Sequence, residues 1–415
     1  MKATKMADGV YRLGVNITEP DYLFEGIWPI PDGTSINAYM VKGEKTAVID
    51  LTQDTAGFPH MLQDQMEDCG FDPTKIDCIV VNHMEPDHSG WLRSYREINP
   101  EAVIYCTKKA VPLVEQFSGI TDRVHAVEDG ETLDLGGGKV LTFFEMPNVH
   151  WPETMMTWLE SEGILFSCDG FGSYGSVDEA VFDDQCSQEK LEFYEREALR
   201  YYANIVASFS TFVERAIKKA MDAGLSIKMI APSHGIIWRE EPGKIINDYI
   251  RYAGYMKGPA EPEITVVYGS MYGNTAEMLN SVVQGIRSEK VPVHIHRVPK
   301  ADMGFILADA WKSAGLVLGM PTYEYRMFPP MAHVIDDLLR KKVGNKKVFR
   351  FGSFGWSGGA QKELETLTEK AKWDFIEPVE WQGAPSDAAI EQGYERGREL
   401  ARAVKAFSAA RPGSP

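Results

Sequence analysis

Long apolar runs are missing from this sequence. No stretch approaches the length needed to cross a bilayer, and the opening MKATKMADGVYRLGV carries no apolar segment of signal-peptide type before its first acidic residue. Cysteine is sparse: Cys69, Cys78, Cys106, Cys168 and Cys186 are odd in number, scattered and never spaced CxxC. That argues against a disulfide framework and against a four-cysteine metal site, and suits a reducing compartment. Basic charge is also short. With 43 Lys and Arg against 60 Asp and Glu, the net charge of −17 disfavours nucleic-acid and anionic-membrane partners. Low-complexity tracts are absent, and no GxGxxG βαβ unit with an acidic ribose partner exists to bind NAD. The expectation is a soluble cytoplasmic protein of two or three domains.

What remains is rich in strand-like runs that end in polar clusters. Over the first ~255 residues, TAVIDL, DCIVVNH, AVIYCT, VLTFFEMP, GILFSCDG and KMIAPSHG alternate with polar loops, with a helical pattern at 188–206. Strand exits of layered α/β folds are where such clusters become sites. Residues 252–263, YAGYMKGPAEPE, read as a linker. Strand and helix then alternate regularly: strands EITVVY, VPVHIHRV, AGLVLGMP, KKVFRFGSF and one near 374–381, with helices from Thr275, near 300–313, 330–341, 359–372 and from Asp387. Five strands alternating with five helices predict a doubly wound parallel sheet. The boundaries expected are 1–255 and 264–410, with the tail ARPGSP disordered.

Metal-ligating residue types gather at the strand exits of the first half. NHMEPDHSGW (82–91) carries His83, Glu85, Asp87 and His88; MPNVHWPE carries His150, GILFSCDG ends on Asp169, and APSHG contains His234. Each histidine alone reads as a satisfied core residue. Together the seven groups suffice for two metals. The remaining histidines lack this context, and His294 and His296, alternating on a strand, read as an ordinary exposed or capping pair.

In the second half, YGSMYGNTAEM (268–278) follows a strand and opens a helix. Ser270, Met271, Tyr272, Gly273, Asn274 and Thr275 form a loop suited to a phosphate at a helix N-terminus. Two later strand exits complement it: Pro321, Thr322 and Tyr323 would line a flat aromatic ring, and Ser353, Phe354, Gly355, Trp356 and Gly358 would add backbone amides and an aromatic wall. The loops resemble the FMN site of flavodoxins.

The HxExDH pattern followed by distant His, Asp and His resembles the metallo-β-lactamase superfamily, whose hydrolases usually show HxHxDH and hold zinc. Glu85 replaces the middle histidine, and a hard anionic oxygen ligand favours iron. That substitution ahead of a doubly wound domain, with NAY (37–39), HWPETM (150–155), YYANI (201–205), APSHGIIW (231–238) and FGSFGW (351–356), resembles the flavodiiron protein family. The resemblance implies an αββα metallo-β-lactamase-like sandwich followed by the flavodoxin-like domain. It also implies FMN and two iron ions sharing an oxo or hydroxo bridge. One iron would be held by His83, Glu85 and His150, the other by Asp87, His88 and His234, with Asp169 bridging. O2 would be reduced to water or NO to N2O, with electrons passed through FMN. In the absence of a rubredoxin-like CxxC module the donor would be external, a rubredoxin or a reduced deazaflavin.

Tyr201 or Tyr202 is the candidate hydrogen-bond donor to the bound diatomic, with a core aromatic role standing equally. Glu25, in Phe24-Glu25-Gly26 where many relatives carry histidine, would place a carboxylate at the substrate pocket. Family members form head-to-tail homodimers or dimers of dimers. A zinc hydrolase with a regulatory flavodoxin half is the alternative function, and a pure electron carrier a third.

Overall fold

In the computed structural model, residues 2–55 and 57–410 are described, so most of the ARPGSP tail lies outside them. The chain forms two compact units, Met1–Tyr202 with Thr211–Ile250, and Ala203–Ser210 with Arg251–Pro415.

The first unit contains two large sheets and a two-stranded ribbon, Leu23–Phe24 with Trp28–Pro29. One has seven strands in the order Thr4–Ala7, Val10–Ile17, Thr34–Lys42, Thr46–Ile49, Cys78–Val80, Val103–Thr107 and Val124–Val127. The other has five: Thr132–Asp134, Val140–Glu145, Met155–Leu159, Ile164–Cys168 and Met229–Pro232. Helices including Phe58–Asp68 and Ser210–Asp222 complete an αββα sandwich. Two of the runs that carry ligands are buried along their whole length, Cys78–Val80, parallel to both Thr46–Ile49 and Val103–Thr107, and Ile164–Cys168, parallel to Met229–Pro232. A continuous apolar run fits a strand covered on both faces, and its polar groups are then pushed to the exit.

The second unit holds a parallel sheet in the order Val293–Arg297, Glu261–Tyr268, Ser313–Gly319 and Lys346–Phe354. The expected fifth strand is divided. Trp373–Phe375 and Val379–Gln382 each pair in parallel with Lys346–Phe354, and Pro378 lies between them. Proline has no N–H for the ladder, so the strand breaks there.

Three further expectations shift. Of 252–263, the first residues finish the helix Pro242–Gly254 and the last begin the strand Glu261–Tyr268, leaving only 255–260 outside regular structure. The helix expected over 188–206 stops at Tyr201 and passes through a π turn, Tyr202–Val206, and a 3-10 turn before Ser210–Asp222. Residues 203–210 belong with the second unit, where Lys342 Nζ donates to the Ser208 carbonyl at 2.8 Å. His294 and His296 are half-buried and each is paired with a carboxylate, Glu263 at 2.8 Å and Asp309 at 2.7 Å.

Candidate metal centre and flavin cradle

Four loops bring the seven ligand-type side chains together. His83 follows the strand Cys78–Val80, and Asn82 beside it is pinned by Asp50, which accepts from the Asn82 backbone N–H at 2.8 Å and its amide at 3.2 Å. Pro86 then starts a one-turn helix, Pro86–Ser89, with Glu85 as its N-cap. Pro suits a first helical position, and the turn swings Asp87 and His88 away from His83 and Glu85. His150 lies between the strands Val140–Glu145 and Met155–Leu159. Asp169 follows Ile164–Cys168, between Cys168 at φ 52° and Phe171 at φ 68°. Left-handed backbone at side-chain-bearing residues costs about 1–3 kcal/mol and collects at functional sites.

His234 is set by the NAY stretch. Asn37 donates to the carbonyls of Pro232 (2.8 Å) and Gly235 (3.0 Å), and Tyr39 donates to Pro232 (2.6 Å). Buried Arg12 in turn fixes the Asn37 oxygen through Nε at 2.9 Å and Nη2 at 2.6 Å.

The ligand atoms of His83, Glu85, His150 and Asp169 all lie within 4.8 Å of one another, as do those of Asp87, His88 and His234. Glu85 Oε2 stands between His83 Nε2 (3.2 Å) and His150 Nε2 (2.8 Å). Asp169 faces both groups. Its Oδ1 lies 3.0 Å from His88 Nε2 and 3.3 Å from His234 Nε2, while its Oδ2 lies 3.4 Å from His83 Nε2 and 3.5 Å from His150 Nε2. His83 Nδ1 donates to Glu153 Oε1 at 2.7 Å and His234 Nδ1 to the Ser35 carbonyl at 2.7 Å. With Nδ1 so committed, each Nε2 offers its lone pair to the cluster, the arrangement a metal-ligating histidine requires.

The carboxylates and imidazoles also bias one another towards their charged forms, a charge pairing that a cation bound between them would take over. Burial opposes ionisation of Asp169, but the positive charge that faces it from His88 and from the nearby His234 ring holds it well below the usual carboxylate range. Glu85 is likewise held at about 2 by His150 and His83 against its burial. For His234 burial favours the neutral ring, yet Asp169 and Asp87 raise it to about 10.

The donor set fits two cations. Asp87 Oδ1, Asp169 Oδ2 and His234 Nε2 are buried without a hydrogen bond, although each has an oppositely charged atom at 3.3 to 3.5 Å. Buried polar atoms left this way call for an ion or water. Two ligands each about 2.1 Å from one ion and at right angles to each other stand about 3 Å apart, close to the spacings found here.

Of the two tyrosine candidates, Tyr201 reaches the cluster: its hydroxyl donates to Asp169 Oδ1 at 3.0 Å. Burial first, and the Asp169 charge second, push its pKa well above the ordinary value, so it remains a donor. Tyr202 packs its ring against Tyr249 instead, 5.1 Å between centroids. Glu25 is exposed, sits at φ 52° in a tight turn, and accepts from Trp28 Nε1 at 2.9 Å. The side chain that this turn lays on the cluster is Phe24, edge-on to His234 at 5.3 Å. Glu153 and the Ser35 carbonyl escaped the sequence reading. Glu153 lies within HWPETM and was legible as a motif member, whereas a backbone carbonyl leaves no sequence signal.

In the second unit a cavity of about 300 Å3 opens at the C-terminal ends of the parallel strands. That is at the lower end of the range for cofactor sites. Its walls are Ser270, Met271, Tyr272, Asn274 and Thr275 from the first loop, Pro321, Thr322 and Tyr323 from the second, and Ser353, Phe354, Gly355 and Trp356 from the third. Two expected glycines do not line it. Gly273, at φ 102°, is the N-cap of the helix Asn274–Ser288, and Gly358 faces Glu380.

Two unexpected residues do line it, Glu324 and Gly383. Gly383 arrives because Val379–Gln382 pairs beside Phe354, to whose carbonyl the Gly383 N–H donates at 2.9 Å. Glu324 and Tyr325, at φ 47° and 66°, form the two-residue turn of a small hairpin, a geometry that favours Asn or Gly.

The donors suit a phosphate and the walls suit a flat ring. Gly273 brings no capping side chain, and Ser270 Oγ accepts only from the N–H groups of Gly273 (3.1 Å) and Ala276 (3.4 Å) in that turn. Helix N-terminal amides of this kind hold phosphate. Tyr272 and Trp356 stand 90% and 70% exposed on the rim, large apolar faces of the kind that mark a binding surface.

Comparison with known proteins agrees with both halves. Residues 34–235 match the family described as ODP family beta lactamase, and residues 266–397 match flavodoxin. The chain is 35% identical over 373 residues to the anaerobic nitric oxide reductase flavorubredoxin of Vibrio vulnificus, covering 89% of this chain and 74% of that protein. Among solved structures it matches rubredoxin oxygen:oxidoreductase from Desulfovibrio gigas with a TM-score of 0.91 and 30% identity, over 99% of this chain and 100% of that one. The flavodiiron protein from Giardia intestinalis also gives a TM-score of 0.91, at 26% identity, over 99% and 98% of the two chains. Identity sustained at this level over such lengths places the sequence: this chain belongs to the flavodiiron protein family.

Proposed function

We propose that this oxidoreductase reduces NO or O2 at a non-haem di-iron centre held by His83, Glu85, His150, Asp87, His88, Asp169 and His234, with FMN bound in the cradle of the second unit. The observation that carries the proposal is the placement of Asp169, whose two oxygens each face a different pair of imidazoles. A carboxylate so placed can bridge two metals. Glu85, with one oxygen against both His83 and His150, supports iron over zinc because it adds a hard anionic ligand to one metal.

When bound, FMN would supply an acceptor of electron pairs that can release electrons singly, and a di-iron pair would supply the redox chemistry for a diatomic gas. The residues of the chain fix the geometry for this. Glu153 and the Ser35 carbonyl orient the rings of His83 and His234. Tyr201 holds Asp169 by a hydrogen bond and keeps its proton. Phe24 presents an apolar edge to His234 and excludes water from that side. The proposed donor is a rubredoxin or a reduced deazaflavin; the Desulfovibrio gigas relative is named for rubredoxin and oxygen, and the Vibrio vulnificus relative for nitric oxide.

Purified protein should contain two irons and one FMN per chain and consume NO, O2 or both when given a reduced donor. Two zincs, together with no gas consumption after anaerobic iron reconstitution, would overturn the reading. The proposal extends to a head-to-tail homodimer, alone or as a dimer of dimers, in which the FMN of one subunit serves the irons of the other. Mixing Asp169→Asn chains with Gly355→Trp chains, whose added ring would fill the flavin cavity and exclude FMN, should restore about half of the activity per mixed dimer, by the C2 pairing of sites. An inactive mixed dimer that holds its FMN and iron would refute transfer between subunits.

A further inference from the structure

A second concave site lies in the first unit, on the outer side of the five-stranded sheet. It is a cleft of about 240 Å3 between the helices Ser210–Asp222 and Pro242–Gly254, lined by apolar side chains and one glycine, with no charged or polar side chain among them. Its floor is formed by the buried side chains of Met156 and Phe171. Ala220 lies on its wall, and Met221, 70% exposed, contributes at the surface.

The floor abuts the loop that carries Asp169. Phe171 is two residues beyond it, with its backbone at φ 68°, and Met156 Cε lies 2.7 Å from where a Cβ on Gly170 would stand. A side chain at 170 would therefore displace the Met156 methyl that forms part of the floor. Through Phe171 the cleft is thus lined by the same short loop, 169–171, that carries Asp169. The ring is held by contact with Tyr249 at 4.9 Å, whose hydroxyl donates to the Gly172 carbonyl at 3.0 Å.

We infer that this cleft is a binding site for a neutral diatomic gas, a reservoir from which NO or O2 reaches the Asp169 side of the metal cluster. The inference rests on the proposed gas reduction. An enclosed apolar cavity of roughly 150 Å3 stays dry and takes up xenon or benzene, and this cleft, open to solvent at Met221, offers the same kind of apolar surface on its buried floor. A space of this size and lining has nothing to offer an ion or a hydrogen-bonding metabolite. Apolar gases are more soluble in such surroundings than in water, so the cleft raises their concentration beside the metals without touching the ligands.

Xenon is the probe, applied to crystals of the full chain under xenon pressure. The variant is Gly243→Trp. Gly243 lines the cleft, and a Cβ there meets no atom within 4 Å, so the side chain enters open space at a helical position where glycine is unfavourable. Native protein should hold xenon against Met156 and Phe171, and the variant should lose it. In steady state the variant should show a several-fold higher KM for the gas, with kcat and the rate of FMN reduction by the donor unchanged. Ala220→Phe, which fills the wall from the other helix, should repeat the result. An empty cleft in the native protein overturns the inference, as does an unchanged KM in variants that exclude xenon. If no gas is reduced by any form, the di-iron reading fails by itself. Xenon occupancy then decides the cleft independently, bound xenon supporting a gas site and none refuting it.

Discussion

The histidine rings of the metal cluster are at most 4% exposed and two of them are fixed at Nδ1 by a second partner, whereas the flavin cradle leaves Tyr272 and Trp356 90% and 70% in solvent. The cluster is assembled from four loops whose members hold one another by charge, and the cradle from the exits of strands that are neighbours in one sheet. A small cation supplies no surface of its own, so its ligands must be aimed in advance. A large planar cofactor brings area with it, and many weak contacts can share the work. Losses should therefore be steep in the first region and graded in the second.

Asp169→Asn tests the steep side most severely. Losing the one carboxylate that faces both imidazole groups should abolish gas reduction and lower metal content, while the donor still reduces FMN at the native rate. Parallel loss of FMN reduction would point to misfolding and dissolve the contrast. Glu85→His comes next: metal analysis should find the fold retained and selectivity moved from iron towards zinc, because a neutral imidazole replaces an anionic oxygen. Full iron content with full turnover in this variant would show that Glu85 does not choose the metal.

Glu153→Gln sharpens the comparison further out. The side chain touches His83 and the Met84 N–H but not the proposed metals. Removing its charge should weaken metal retention roughly 10- to 100-fold in chelator competition, and no change would mean that the ring of His83 needs no aiming. The smallest effect is expected at Trp356→Ala. One aromatic contact is worth about 0.5–1.5 kcal/mol, so FMN affinity by fluorescence titration should fall only several-fold, with metal content untouched. Complete loss of FMN would make the cradle as brittle as the cluster.

The sequence by itself determined which residue types stand at each strand exit. Apolar runs such as Ile79-Val80-Val81 cannot end in water without polar residues taking over, and the alternation after residue 263 leaves few topologies besides a doubly wound sheet. His83, Glu85, Asp87 and His88 were legible because they are close in the chain, and Ser270 to Thr275 for the same reason. Tertiary structure decided whatever depends on distant segments meeting. The Ser35 carbonyl finds His234 across 199 positions, and Glu153 finds His83 across 70.

Tertiary structure also separated Tyr201 from Tyr202. The two are adjacent in sequence, but the α-helix ends between them, so one hydroxyl reaches Asp169 and the other ring turns to Tyr249. Likewise the turn at 24–25 gives Phe24 to the cluster and Glu25 to solvent, which no composition of that tripeptide could foretell. Periodicity encodes which face of an element is buried, because burial is a property of each residue and its near neighbours. Which side chain meets which is set by the packing of elements far apart in the chain, and a single sequence does not encode those encounters locally.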